Sequence, residues 1–250
     1  MKILEYGDVN NKKIILIHGF QSPYQVWDKY IEHFQKDFHV IVPIMPGHNT
    51  ERKEDFTSFD NAAKEIEDYY ISKYGENVLA VCGMSMGGVL TAMLWQNGKL
   101  NIENVIFDGS PLVSLNGVVR KMMISFYLNI TRKSRKRDKK TLEQAVKSII
   151  TEENLNEFLQ VLDNMSDTTI TNCINGIADF KLSGNIDVRH TKIYFYHGTA
   201  ANEMLAKKSA KYISKFYPDA VIKCFKGKSH CENSIFNPDI MIKELDELLH

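Results

Sequence analysis

The residue best placed to do chemistry is Ser85, which stands between Gly83 and Gly87 in the sequence GMSMG. An apolar run of strand length at 78–82 leads into this motif, and a helix-like segment at 89–96 follows it. A serine hydroxyl at the tip of so tight a strand-to-helix turn needs a strained backbone and neighbours without side chains, which the two glycines provide. The pattern therefore predicts a nucleophilic serine.

Two backbone N–H groups are expected to face the Ser85 hydroxyl. The helix after Ser85 directs its free N–H groups and the positive end of its dipole at the reaction centre, so Met86 is the first predicted oxyanion donor. The second is Phe20, because an apolar strand-like run at 13–18 ends in Gly19, which lets the next N–H turn into a site.

Two histidines are candidates for different tasks. His230 lies in the loop after the last predicted strand, behind the turn at 226–229, from which it would reach a nucleophile one or two strands away. His18 ends an early strand and is expected to hold the neighbouring loop through backbone hydrogen bonds. His230 is thus the histidine placed to reach Ser85, whereas His18 is expected to be structural.

Strands and helices alternate along the chain outside residues 112–183, which predicts an α/β fold with a mostly parallel sheet and helices on both faces. Residues 1–18 are expected to form a hairpin. In parallel sheets ligands bind beyond the carboxyl ends of the strands, and Ser85, Phe20 and Asp108 all follow such ends.

The stretch 112–183 is predicted to be a helical cap inserted into a core domain that consists of 1–111 and 184–250. A helical insertion on the carboxyl side of the sheet would cover the site and shape its pocket. Its apolar side chains could equally serve only to pack the cap onto the core. The candidate pocket residues are Met122, Met123, Phe126, Tyr127 and Phe158.

The overall charge gives no reason to expect nucleic acid or membrane as a partner, since 31 basic residues balance 31 acidic ones in a chain of 250. A dense basic run at 132–140 is interpreted as a solvated linker, because no aromatic residues interleave its charges. Residues 1–8 lack the apolar stretch of a secretory signal, and no apolar run is long enough to span a bilayer, so a cytoplasmic protein is expected.

The four cysteines are scattered without the spacing of metal ligands, which predicts neither a zinc site nor a disulfide framework. Cys82 and Cys224 fall in strand-like runs and are expected to be buried. The residues thus call for no metal and no organic cofactor.

Taken together, these features resemble the α/β-hydrolase superfamily over nearly the whole chain, most of all small bacterial serine esterases and lipase-like hydrolases with a helical cap. The matching pieces are His18-Gly19, Pro46-Gly47-His48, the motif around Ser85, the helical insertion, His197-Gly198 and His230. The resemblance implies a serine hydrolase that cleaves a carboxylic ester, or an amide or thioester, of a small, partly apolar substrate. Ser85 would be the nucleophile, His230 the base, and the N–H groups of Phe20 and Met86 the oxyanion hole.

The acid of the triad is where the chain departs from the family pattern. Members usually carry Asp or Glu about three residues after the glycine that ends the penultimate strand, where this chain has Ala201. Asp108, at the end of the strand after the motif, is preferred because a strand end is a rigid platform, and Glu203 is the alternative. Asp179 and Asp187 are more distant choices. The alanine also motivates a second hypothesis, a small-molecule binding or regulatory protein that keeps the fold without catalysis.

Overall fold

A computed structural model describes residues 1–250, and a seven-stranded sheet of order β1-β3-β2-β4-β5-β6-β7 runs through its centre. The strands are β1 Lys2–Tyr6, β2 Lys13–Ile17, β3 His39–Ile44, β4 Asn77–Met84, β5 Asn101–Asp108, β6 Lys192–Gly198 and β7 Val221–Phe225. β1 is antiparallel to β3, and every other neighbouring pair is parallel. The prediction of a mostly parallel sheet is confirmed.

The predicted hairpin within residues 1–18 is wrong. β1 pairs with β3, with Lys2 opposite Ile44, whereas β2 lies between β3 and β4. The physical reason is the composition of β2, whose apolar residues do not alternate with polar ones and are buried. Such a strand belongs in the interior of a parallel sheet, and β1, whose residues are all half-buried, takes the edge.

Two layers of helices cover the sheet. The helices are α1 Asp28–Phe34, α2 Phe59–Tyr74, α3 Met86–Asn97, α4 Gly117–Arg135, α5 Lys139–Ser148, α6 Leu155–Asn164, α7 Asp167–Asp179, α8 Met204–Phe216, α9 Glu232–Phe236 and α10 Pro238–Leu249. Ile14 and Leu16 of β2 belong to the same apolar cluster as α1 and α10. Ile15 and Ile17 belong to the cluster that contains α2, α3 and α8. Alternate residues of one strand thus face opposite layers, as the pleat requires.

Helices α4 to α7 form an insertion between β5 and β6. Its two ends meet where the N–H of Leu182 donates to the carbonyl of Leu112 at 3.0 Å. α7 buries Ile174 in the main core. α4 behaves differently, because only Thr131 and Ser134 of its 19 residues are buried. α7 thus packs into one core cluster, while Ala145, Phe158 and Leu162 of α5 and α6 pack into the other.

Three further predictions concern membrane-spanning helices, metal ligands and cysteines. No helix is both long enough and apolar enough to cross a bilayer. The side chains of His, Cys, Asp and Glu nowhere form a group of three or more that could hold a metal ion. All four cysteines are free, and Cys82 is buried as expected. The expectation of a buried Cys224 is wrong, because β7 is an edge strand and leaves this residue exposed.

Candidate active site

Ser85 stands at the junction of β4 and α3, with backbone angles φ 52° and ψ −114° that an ordinary residue rarely adopts. The two flanking glycines leave room for this turn. A Cβ atom on Gly83 would approach the backbone of Gly87 to 2.4 Å, and one on Gly87 would come within 2.2 Å of the carbonyl oxygen of Ile17. Larger residues at either position would push the turn apart, so the glycines hold the serine at its tip.

The side chain of His230, from the loop between β7 and α9, joins Ser85 to an acid. Its Nε2 lies 2.8 Å from Ser85 Oγ, and its Nδ1 lies 2.6 Å from Glu203 Oε1. An ionised carboxylate only accepts hydrogen bonds, so Nδ1 carries the proton and Nε2 is free to accept from the serine hydroxyl. This arrangement is suited to nucleophilic catalysis, with a base that an acid orients.

Glu203 ends the 3₁₀ turn Ala201–Glu203 that precedes α8, and its side chain is fully buried. Its second oxygen, Oε2, accepts the N–H of Gly198 at 2.7 Å. Burial by itself would raise the pKa of Glu203, but the hydrogen bond and charge of His230, together with the N–H of Gly198, lower this pKa below its ordinary value. The carboxylate is therefore held in its ionised form beside the imidazole.

Asp108, the acid preferred from the sequence, makes no hydrogen bond or ion pair with His230. Its Oδ2 accepts the hydroxyl of Ser234 at 2.6 Å instead. Burial raises the pKa of Asp108 to about 6, against the opposing effects of the Ser234 hydrogen bond and the charge of His230. The preference is corrected, because a rigid strand end fixes the direction of a side chain as well as its place. The carboxylate in contact with the histidine is that of Glu203, the alternative.

The two predicted oxyanion donors both have a free N–H group. Met86 is the first residue of α3, so its N–H has no acceptor within the helix. The N–H of Phe20 also donates to no acceptor in the protein. The loop that carries Phe20 lies against the serine, since a Cβ atom on Gly19 would stand 3.6 Å from the Cβ of Ser85. A carbonyl oxygen bound beside the hydroxyl would find two unpaired donors here.

A cavity of about 310 Å³ opens on Ser85 and His230. Among the predicted pocket residues, Met123, Tyr127 and Phe158 line it. Its wall contains no lysine, arginine, aspartate or glutamate, so the space in front of the serine suits an uncharged group. Several lining residues were not foreseen from the sequence, namely Gln21, Ile149, Ile150, Ile174, Ile177, Asn202 and Leu205.

The two other predicted pocket residues, Met122 and Phe126, do not line the cavity. They are 66% and 57% exposed, on the outer face of α4. Successive residues of a helix are about 100° apart, so Met122 and Phe126 cannot share the inward face of Met123 and Tyr127. The helical period of α4 would have separated Met123 and Tyr127 from Met122 and Phe126 if the face of α4 that turns toward the core had been known from the sequence.

The remaining candidates lie away from the cavity. Asp179 and Asp187 each pair with an arginine on the surface. Only residues 136–138 of the basic run 132–140 link two helices, since the rest forms the end of α4 and the start of α5. Three of its arginines pair with aspartates of α6 and α7, so part of its charge serves contacts within the insertion.

A family model described as the alpha/beta hydrolase fold matches residues 12–198. A pimeloyl-[acyl-carrier protein] methyl ester esterase of Nitrosomonas europaea is 25% identical over 101 residues, which cover 40% of this chain and 38% of that protein. The matched stretch is thus less than half of the relative's own length.

Solved structures resemble the whole chain. An alpha/beta hydrolase family protein of Desulfitobacterium hafniense has a TM-score of 0.77 at 15% identity and covers 100% of both chains. A thermophilic esterase of Thermogutta terrifontis has a TM-score of 0.75 at 13% identity, covering 99% of this chain and 92% of that one. At such identities the likeness establishes a shared fold.

Proposed function

The chain belongs to the α/β-hydrolase family, and we propose that it is a serine esterase that cleaves a carboxylic ester of a small, partly apolar and uncharged acyl group. The observation that carries the proposal is the hydrogen-bonded chain from Ser85 through His230 to Glu203, with distances of 2.8 and 2.6 Å. The insertion 112–183 would act as the cap over the core formed by 1–111 and 184–250, since its helices supply much of the cavity wall.

In the first half of the reaction, His230 Nε2 takes the proton of the Ser85 hydroxyl as Oγ attacks the ester carbonyl carbon. The N–H groups of Phe20 and Met86 hold the oxyanion, an effect of roughly 3 to 4 kcal/mol per donor in other hydrolases. Glu203 stabilises the imidazolium that forms. The imidazolium then gives its proton to the alcohol oxygen as the carbon–oxygen bond breaks, which leaves an acyl group on the serine.

Water completes the cycle by the same route. His230 removes a proton from the water as its oxygen attacks the acyl carbon, and the two N–H groups again hold the oxyanion. The imidazolium then returns the proton to Ser85 Oγ as the acid product leaves. None of these steps requires a group beyond the side chains and backbone already described.

The cavity wall supports the choice of acyl group. A carboxylate buried in it would find no cationic side chain in the wall except His230 when that residue is protonated. We expect p-nitrophenyl butyrate to be hydrolysed with a kcat/KM about tenfold or more above that of the p-nitrophenyl monoester of succinic acid, which carries a charge on a similar chain. Equal values for the two esters would show that the acyl group does not occupy this cavity.

Intact-mass analysis after incubation with a fluorophosphonate tests the nucleophile. The wild type is expected to gain one adduct, Ser85→Ala none, and His230→Ala a greatly slowed one, because the serine is a weak nucleophile without its base. Ser22→Ala is the matched control, since Ser22 lines the same cavity and should leave labelling unchanged. A folded wild type that stays unlabelled would overturn the proposal.

The alternative of a non-catalytic binding protein rested on the alanine at position 201. The contact of Glu203 with His230 at 2.6 Å removes that ground, because an acid reaches the histidine from two residues further along the loop. No other feature of the site favours this alternative.

A further inference from the structure

The loop that carries the oxyanion donor Phe20 contains a second unusual residue. Gln21 has a φ of +59°, in the left-handed region that a side chain with a Cβ disfavours, and it is only 6% exposed. A non-glycine residue keeps such a conformation only where its surroundings hold it there. The contacts of Gln21 therefore fix the path of the loop directly after Phe20.

On the core side, two buried histidines hold this loop. The N–H of Gln21 donates to His48 Nε2 at 3.0 Å, and His18 Nε2 accepts the N–H of Met45 at 3.2 Å. Burial lowers the pKa of His18 to about 4, and burial with the charge of His18 lowers the pKa of His48 well below its usual range. Both rings are thus neutral near neutral pH and remain acceptors.

On the other side, the loop is tied to α4 of the insertion. Gln21 Nε2 donates to Thr131 Oγ1 at 2.7 Å, and the Thr131 hydroxyl donates in turn to the carbonyl of Tyr127 at 2.6 Å. Because the hydroxyl proton is used by Tyr127, the lone pairs of Oγ1 are available to Gln21. α4 also contacts the loop through the ring of Tyr127, which packs edge-on against the ring of Phe20 with centroids 5.0 Å apart.

This contact leaves the insertion, whereas the arginines of α4 hydrogen-bond or pair with residues of α6 and α7 within it. Thr131 is one of only two buried residues in the helix, whereas α7 is held to the core independently. There the Thr169 hydroxyl accepts the N–H of Phe56 at 3.0 Å, and Asn172 donates to the carbonyl of Phe56 at 2.9 Å. The hydrogen bond that ties α4 to the loop of Phe20 is therefore the one between Thr131 and Gln21.

We propose that Gln21 is a positioning residue that couples α4 to the oxyanion hole, so that an acyl group seated against Met123 and Tyr127 helps to fix the N–H of Phe20. The proposal rests on the proposed esterase function. Its consequence is that the Gln21–Thr131 contact acts on the transition state, where the oxyanion exists, more than on substrate binding.

The test compares kcat and KM for p-nitrophenyl butyrate in near-isosteric variants. Gln21→Met and Thr131→Val are each expected to lower kcat roughly tenfold or more, as small displacements of catalytic groups do, with KM changed by less than about twofold. The double variant should be no worse than the more impaired single variant, because both changes break the same contact. Thr131→Ser keeps the hydroxyl and should restore kcat.

Two further measurements separate positioning from general damage. An alkyl trifluoromethyl ketone forms a tetrahedral adduct with the serine, so its inhibition constant should rise in parallel with the loss of kcat. Gln21→Gly adopts a positive φ without strain, and its loss of kcat would report the missing amide contact. Asn172→Leu is the matched control, since it removes a hydrogen bond between the insertion and the core that does not touch the Phe20 loop.

Wild-type kcat in both Gln21→Met and Thr131→Val would overturn the inference, as would a Thr131→Ser variant as impaired as Thr131→Val. A loss in Asn172→Leu equal to that in Thr131→Val would also overturn it, because any loosening of the insertion would then suffice. These failures leave the esterase function intact if the wild type turns over ester and is labelled at Ser85. An inert wild type would overturn both.

Discussion

Asp108 and Glu203 are buried carboxylates at the carboxyl ends of two neighbouring parallel strands, β5 and β6, yet their surroundings give them opposite properties. Glu203 accepts hydrogen bonds from His230 and from the N–H of Gly198, and its pKa is lowered. Asp108 accepts the hydroxyl of Ser234, and burial raises its pKa to about 6. Burial near a histidine therefore does not by itself set the pKa of a carboxyl group; the donors that face the carboxylate decide its direction.

Glu203 lies two residues beyond the position at which the resemblance predicts an acid. Ala201 stands where the resemblance led us to expect the acid, at the start of the 3₁₀ turn that Glu203 ends. The turn brings residue 203 back toward the strand end, and the longer glutamate side chain spans the remaining distance to the imidazole. Asp108 lacks this freedom, because its backbone is fixed by pairing with β4 and β6.

The largest expected effect comes from Glu203→Gln. The amide keeps the shape of the side chain but can donate to Nδ1 of His230. This favours the tautomer that carries its proton on Nε2, and an Nε2 that carries a proton cannot accept the hydroxyl of Ser85. We expect kcat for p-nitrophenyl butyrate to fall by about 10³- to 10⁴-fold, the size of the effect in a serine protease with the equivalent change. Steady-state kinetics on the folded variant measure it.

Asp108→Asn is the matched control for that experiment, since it makes the same chemical change at the other carboxylate. Its amide oxygen still accepts from Ser234, so we expect kcat to change by less than about threefold. A larger loss in Asp108→Asn than in Glu203→Gln would reverse the assignment of the acid.

The opposite pKa shifts predict opposite effects of pH on stability. The folded-state pKa of Asp108 is raised to about 6. Its contribution to the free energy of unfolding is therefore full below pH ~4, near the unfolded pKa, and is lost as pH rises through about 6. The full change is about 3 kcal/mol. Glu203 has a lowered pKa, so its contribution is present above pH ~4.3 and is lost as pH falls through its folded pKa.

Urea unfolding between about pH 4.5 and 7 therefore tests Asp108 directly. Because Asp108→Asn cannot titrate, its free energy of unfolding should rise relative to that of the wild type over this pH range, by about 2 kcal/mol. Parallel pH curves for the two proteins would mean that the pKa of Asp108 is not raised.

Glu203→Asp sharpens the role of side-chain length. Shortening the acid by one methylene keeps the charge but draws it away from Nδ1, and we expect kcat to fall by about 10- to 100-fold, less than in Glu203→Gln. Glu244→Asp is a control for the same shortening, because Glu244 pairs with Lys223 away from His230. A Glu203→Asp variant with wild-type kcat would show that the distance to the histidine is not critical.

The smallest effect on activity is expected from Ser234→Ala. It removes the hydroxyl donor of Asp108 and should lower the free energy of unfolding at neutral pH by about 1 to 3 kcal/mol, while kcat changes by less than about threefold. Chemical unfolding and steady-state kinetics are the two measurements. A large loss of kcat with unchanged stability would place Asp108 and its partner in the catalytic machinery.

Much of the fold followed from local patterns. The unbroken apolar run of β2, the alternation of strands and helices, and the glycines around Ser85 each report on the surroundings of their own segment, so they could be interpreted without the rest of the chain. The hairpin was mispredicted because the pairing of a strand is not a local property. The local pattern identified β1 as a strand, but which strand it pairs with depends on which strand edges in the sheet remain free.

For the site, the sequence by itself predicted a nucleophile in Ser85, a base in His230 and two acids as alternatives. The choice between Asp108 and Glu203, and the tie between Gln21 and Thr131 across 110 residues of chain, could not be derived in the same way. A residue's type and its place on a strand or turn are local properties, whereas the direction of its side chain and the donors that meet it depend on segments brought together only by folding. Tertiary structure therefore decided which acid touches the histidine, while the sequence had determined that an acid was needed.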